Sequence, residues 1–259
     1  MPAPVDPARP PLVLIAPAMA IGSGYYRLLA GALTARGWQA RTLARRGFEP
    51  GSGRARRGVD WSYDDEIAVV ADAVADARRE DPRRPVLLLG HSLGGQLALA
   101  HQLGPDRADA MVTVGTSIPD RRHFPFRGVH LAALAGAVVP TATALCGHLP
   151  APLFGGPGAA TMMRQWARMV RTGRPPFPVP GPVTAPTLVV ELEDDRLAPR
   201  GSVEVFAQQM VAPDALTYWR YRHTEVPAGQ SNDHIGWVRT PEPVVDRIAD
   251  WWHGLGAHR

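Results

Sequence analysis

Apolar positions in this chain come as short unbroken runs, not as an alternation of apolar and polar residues. Leu12–Ala16, residues 85–89, Ala110–Val114 and Thr187–Leu192 are each bounded by turn residues. They read as strands buried on both faces, the habit of a parallel sheet. Residues 39–43 and Leu216–Tyr221 are two further strands. Helical periods lie between them. Ser62 stands three residues before Asp65 as a capping pair, and Ile67, Val70, Ala71, Val74 and Ala77 then fall on one face. Residues 26–36 and 96–103 are shorter helices of the same kind, and a last one starts at Thr240–Pro241. Strand and helix alternating in this way predict an α/β fold with a doubly wound, mostly parallel sheet and right-handed crossovers.

One stretch breaks the alternation. Between Gly128 and Met163 there is no Asp, Glu, Lys or Arg, and Pro140, Pro150, Pro152 and Pro157 punctuate it. Residues 118–182 read as an inserted cap, leaving 1–117 and 183–259 as the core; an extra helix packed on that core explains the apolar content equally well. Pro, Thr and Gly are expected to interrupt the run before it could span a bilayer, so no stable membrane insertion is expected.

Composition narrows the function classes. At 259 residues and 45% hydrophobic, the chain has enough apolar side chains for one well-buried core. The single cysteine, Cys146, excludes an internal disulfide framework, and the opening MPAPVDPARPP has no apolar stretch of signal-peptide type. A cytoplasmic location is the simplest expectation. The net charge is +4, and all 28 basic residues are arginine. Their densest group, Arg54, Arg56 and Arg57, lies in a Gly-rich loop, and acidic residues are interleaved elsewhere, so no nucleic-acid site is expected. No H-E-x-x-H or comparable ligand spacing occurs, and Gly51–Ser52–Gly53 follows no convincing strand and lacks the Walker lysine. Neither metal nor cofactor is expected; the partner is a small-molecule substrate.

The chemistry concentrates at Gly90–His91–Ser92–Leu93–Gly94, which directly follows the strand Val86-Leu87-Leu88-Leu89 and opens a helix. A serine on a sharp strand-to-helix turn needs a strained backbone, and side chains at Gly90 and Gly94 would collide with the neighbouring chain. Ser92 is the predicted nucleophile. A serine hydroxyl is a weak nucleophile at neutral pH, so an imidazole must take its proton and a carboxylate must hold that imidazole in one tautomer. Glu193–Asp194–Asp195 follows the strand Thr187–Leu192 at once, and Asp195 is favoured over Asp194 by its place in a D-x-apolar-x-P turn. Among nine histidines His234 is the predicted base, being in a loop after the last strand and before the last helix; His223 is the runner-up. His91 should line the elbow. The backbone N–H groups of Met19, in the loop after the first strand, and Leu93 are predicted to receive an oxyanion.

Four segments carry a family resemblance: Ala16–Pro17–Ala18–Met19 followed by Tyr25–Tyr26, the elbow through Gly95, the Asp194–Asp195 pair, and Asp233 to Arg239. With these the chain resembles the α/β-hydrolase superfamily, and in particular a group of bacterial predicted serine hydrolases. The resemblance implies an acyl-enzyme chemistry on Ser92. The leading expectation is hydrolysis of a carboxylic ester of largely apolar character. Thioester release, cyclisation or another non-hydrolytic reaction in a biosynthetic pathway is the second, and a non-catalytic ligand-binding protein the third. The chain departs from the wider pattern at Pro17–Ala18, where a His-Gly pair is common, and at Ala44–Arg45–Arg46–Gly47, where an Asp often begins the segment. With so little chain before Leu12, the sheet should lack the antiparallel strands that often open this fold.

Overall fold

The computed structural model describes residues 9–255. Most of the opening segment read for a leader, and His258, lie outside them. Six strands form one sheet: β1 (Leu12–Ala16), β2 (Gln39–Thr42), β3 (Val86–His91), β4 (Ala110–Val114), and, after the insertion, β7 (Thr187–Leu192) and β8 (Leu216–Tyr221). Their spatial order is β2-β1-β3-β4-β7-β8 and every pairing is parallel. This is the expected doubly wound sheet, and β2 forms its edge where antiparallel strands would otherwise continue.

The unbroken apolar runs have a direct cause, since successive strand residues point to opposite faces. Leu12, Leu14, Leu88, Met111 and Val189 enter one core, shared with α2 (Tyr63–Glu80), α3 (Leu93–Gln102) and α7 (Arg200–Met210). Val13, Ile15, Leu87, Leu89, Val112 and Val190 enter the other, shared with α1 (Arg27–Ala35) and α8 (Glu242–Gly254). The expected cap of α2 is present: Ser62 accepts from the Asp65 N–H, and Asp65 Oδ2 takes the Ser62 N–H at 2.7 Å. Helix α3 begins at Leu93, three residues earlier than its periodicity predicts, because the elbow feeds straight into it.

Between β4 and β7 the chain leaves the sheet. It forms α4 (Val129–Ala133), a π-helical turn at Leu134–Val138, α5 (Val139–Cys146), the two-residue antiparallel strands β5 (His148–Leu149) and β6 (Gly158–Ala159), and α6 (Ala160–Thr172). Helix α6 is tied to the core: it buries Met163, Trp166 and Val170, the Met162 N–H donates to Trp61 O at 3.0 Å, and Gln165 Oε1 accepts from the Tyr63 N–H at 2.8 Å. The expectation that Pro, Thr and Gly break this region is corrected for its first half. From Val129 to Cys146 the helix is continuous, and with the left-handed turn Phe126–Gly128 before it the segment Pro125–Cys146 is long and apolar enough by length and composition to cross a membrane. The wide turn just before Pro140 gives room for a ring that has no N–H to donate, so the helix continues past it.

Candidate active site

Ser92 sits between β3 and α3 with φ 54° and ψ −116°, a conformation that costs a non-glycine residue energy and persists only when its surroundings over-determine it. Here the Ser92 N–H donates to Val114 O at 2.9 Å and Thr116 Oγ1 donates to Ser92 O at 3.2 Å. Glycine is required beside it, since a Cβ on Gly94 would lie 1.9 Å from Ala16 O.

The loop after β8 brings His234 over the serine. Its Nε2 lies 2.9 Å from Ser92 Oγ and its Nδ1 2.6 Å from Asp195 Oδ2. The carboxylate can only accept, so Nδ1 carries the proton and Nε2 is left to accept from the serine hydroxyl. Asp195, buried at the end of β7, is held through its other oxygen by the N–H groups of Leu197 and Ala198 at 2.7 and 2.8 Å. Asp233 braces the imidazole's loop by accepting from the Ile235 and Gly236 N–H groups. Gly115, at φ 55°, closes the packing: a Cβ there would lie 2.8 Å from Asp195 Oδ2 and 3.2 Å from His234 Nδ1.

A second histidine lies directly beneath. His91 is fully buried, and burial, with His234 nearby, pushes its pKa well below the ordinary histidine value. It is therefore neutral. Its Nε2–H donates to His234 O at 2.7 Å, which leaves Nδ1 to accept from Tyr26 Oη at 2.8 Å; Tyr26 Oη in turn accepts from the Ala18 N–H at 2.8 Å. One directional chain of hydrogen bonds thus joins the loop after β1 to the backbone of His234.

Met19 and Leu93 flank Ser92 on the wall of a cavity of about 410 Å³. Among the described residues neither backbone N–H is given to a protein acceptor. The loop carrying Met19 is fixed from below by Arg45, whose guanidinium donates to Pro17 O and, at 2.6 Å, to Glu66 Oε2. This ion pair is almost fully buried. Desolvation pushes the Glu66 pKa upward, and the Arg45 charge opposes that. The rest of the cavity is apolar: Ile21, Phe124, Leu131, Phe154, Trp166 and Leu197 line it, with Gln96 among the few polar groups.

Residues 8–172 match the family model described as serine aminopeptidase, S33. The chain belongs to this α/β-hydrolase family. No curated protein sequence matches it. Among solved structures this α/β-hydrolase is similar to a monoacylglycerol lipase from Paleococcus ferrophilus, at 16% identity and TM-score 0.59, covering 96% of this chain and 97% of that one. It is similar to a pyrethroid hydrolase from Sphingobium faniae JZ-2 at 19% identity and TM-score 0.60, covering 96% and 99%. A third similar structure is a putative non-heme bromoperoxidase, BpoC, from Mycobacterium tuberculosis H37Rv, at 17% identity and TM-score 0.64, covering 95% and 92%. At these identities the likeness is one of fold.

The runners-up of the sequence fall outside the hydrolase's cavity. Asp194 and His223 pair with each other at 2.9 Å on the surface, where the carboxylate raises the His223 pKa. Among the described residues no three of His, Cys, Asp and Glu converge as metal ligands. Several members of the α/β-hydrolase site escaped sequence reasoning. Tyr26 looks like a helix-face aromatic, Arg45 and Glu66 like surface charges, and Gly115 like a turn. Only the Tyr25–Tyr26 pair after the β1 loop, and the arginines where an aspartate was expected, signalled them.

Proposed function

We propose that this protein is a serine hydrolase that cleaves carboxylic esters of largely apolar character through an acyl-enzyme on Ser92. The carrying observation is the hydrogen-bonded line Ser92–His234–Asp195 at the floor of an apolar cavity. In this reading Ser92 Oγ attacks the ester carbonyl as His234 Nε2 takes its proton. The oxygen that becomes negative accepts from the Met19 and Leu93 N–H groups, which are fixed before the charge develops and need no reorganisation. Imidazolium, stabilised by ionised Asp195, then protonates the departing alcohol. Water enters, His234 removes its proton, and the acyl group leaves as a carboxylic acid while Ser92 regains its hydrogen.

The cavity favours an ester over a peptide amino terminus, the substrate that the family's description names. Among the described residues no Asp or Glu lines it, so an α-ammonium group would be buried without a counter-charge, whereas alkyl surface gains about 25 cal/mol per Å² on entering. The test is labelling with a fluorophosphonate probe, location of the adduct by mass spectrometry, and turnover of p-nitrophenyl esters of increasing chain length. Labelling at Ser92, lost in Ser92→Ala, with faster turnover of medium than of acetyl chains, is the expected result. Labelling without turnover of any simple ester would favour a non-hydrolytic acyl transfer, and no labelling of folded protein would leave a ligand-binding role.

A further inference from the structure

We propose that the outer side of Pro125–Cys146, a left-handed turn followed by the helix from Val129, is a docking surface for an anionic lipid bilayer. Four of its apolar side chains are turned to solvent: Phe126 at 90% exposure, Val129 at 67%, Val138 at 40% and Leu145 at 71%. Phe126 lies in the left-handed turn that leads into the helix, Val129 opens the helix, and Val138 and Leu145, seven residues apart, share a side of it. Four large apolar side chains left exposed along one short segment mark an interaction site.

The opposite face decides how the run can meet a membrane. Ala135, Val139 and Thr143 are buried in the protein, and Leu131 lines the substrate cavity. Crossing a bilayer would require pulling these residues out of the core. Only the outer face is free, which suits a helix lying in the plane of the interface.

Charge identifies the kind of surface. From Arg121 to Val190 there are seven arginines and no Asp or Glu, while the whole chain carries only +4, so the remainder is net acidic. Arg127 is exposed in the same turn as Phe126, and Arg57 donates to Leu145 O at the far end of the run. The exposed apolar residues are therefore bracketed by guanidinium groups that can reach phosphates while the hydrocarbon enters between them. Arg122 is excluded from this role by its bonds to Asp120. A second copy of the chain fits less well, because a two-fold contact would bring these arginines together with no acidic partner on the same face.

The test uses Ser92→Ala protein, so that binding is read without turnover and its outcome is separate from that of the proposed reaction. Flotation is measured with phosphatidylcholine vesicles and with vesicles containing phosphatidylglycerol. The protein should float with the anionic vesicles only, and release as salt rises. Phe126→Ser with Leu145→Ser should lower the partition at least about tenfold. Arg127→Gln should lower it about fivefold at low salt. Both changes are at exposed positions, and unchanged circular dichroism and melting would show that the fold is intact. Equal partition into both vesicle types, no partition into either, or indifference to the paired serine substitutions would overturn the proposal. A dimer that those substitutions dissolve, without vesicle binding, would give the face to a second copy instead.

Discussion

The floor and the roof of the cavity are built on different physics. The floor consists of Ser92, His234 and Asp195 on ends of sheet strands and their loops, with hydrogen bonds reaching them from Val114, Leu197, Ala198 and His91. The roof consists of Phe124, Leu131, Phe154 and Trp166, which meet through apolar contacts; the Phe154 and Trp166 rings lie edge to face at 4.7 Å. Directional bonds fix atoms to a few tenths of an ångström, as proton transfer needs. Dispersion and burial are non-directional and tolerate many shapes. Substitutions in the floor should therefore change rate steeply, and those in the roof should change preference mildly.

His234→Ala should break the floor most severely, lowering kcat for a p-nitrophenyl ester by about 10⁵–10⁶-fold. Asp195→Asn should follow at about 10⁴-fold, since the amide cannot hold the imidazole in its tautomer. Its neighbour sharpens the comparison. Asp194→Asn, at the surface, should stay within about twofold of the parent. Further below the reacting atoms, Tyr26→Phe strands the Ala18 N–H and His91 Nδ1, which should cost about 2 kcal/mol in chemical unfolding and lower kcat more than it raises KM.

His91 gives the floor a pH signature of its own. It is held neutral by burial, whereas in the unfolded chain it titrates near 6.5. Below that value the unfolded state takes up a proton that the folded state refuses, so its contribution to stability is complete above pH 6.5 and falls away as pH drops. The slope is at most about 1.4 kcal/mol per pH unit. Urea unfolding across this range should be less acid-sensitive in His91→Gln than in the parent. The roof answers in preference, not in rate. Phe154→Ala should shift the preferred acyl chain length by roughly tenfold in relative kcat/KM while a small fluorophosphonate labels Ser92 at the parental rate.

The same division explains what could be read from the chain. Leu12–Ala16, Ala110–Val114 and Thr187–Leu192 have the same bounds in sequence pattern and in structure, because strands buried on both faces leave a continuous apolar imprint. Ser92, Asp195 and His234 could be chosen from chain order and turn context alone, and they stand in one hydrogen-bonded line. The network under them was opaque. That Tyr26, His91 and Ala18 meet depends on tertiary placement across β1 and β3, for which one sequence carries no period. Arg200–Met210 was missed as a helix, and Pro140 was taken for a breaker where a π-helical turn accommodates it. Local propensity says nothing of such relief.

The insertion leaves from the end of β4 and comes back to the start of β7, and these two strands are nearest neighbours in the sheet. The pair is parallel, so the excursion starts at the carboxyl end of β4 and returns to the opposite edge of the sheet, and the ladder fixes the span it must cover whatever lies between. The sheet sees the roof as one long crossover between two fixed ends, so that changing its length alters the entropy of closure only logarithmically. The architecture is in this sense a socket: roofs of other sizes and polarity could be spliced between Val114 and Thr187 while Ser92, Asp195 and His234 keep their registers.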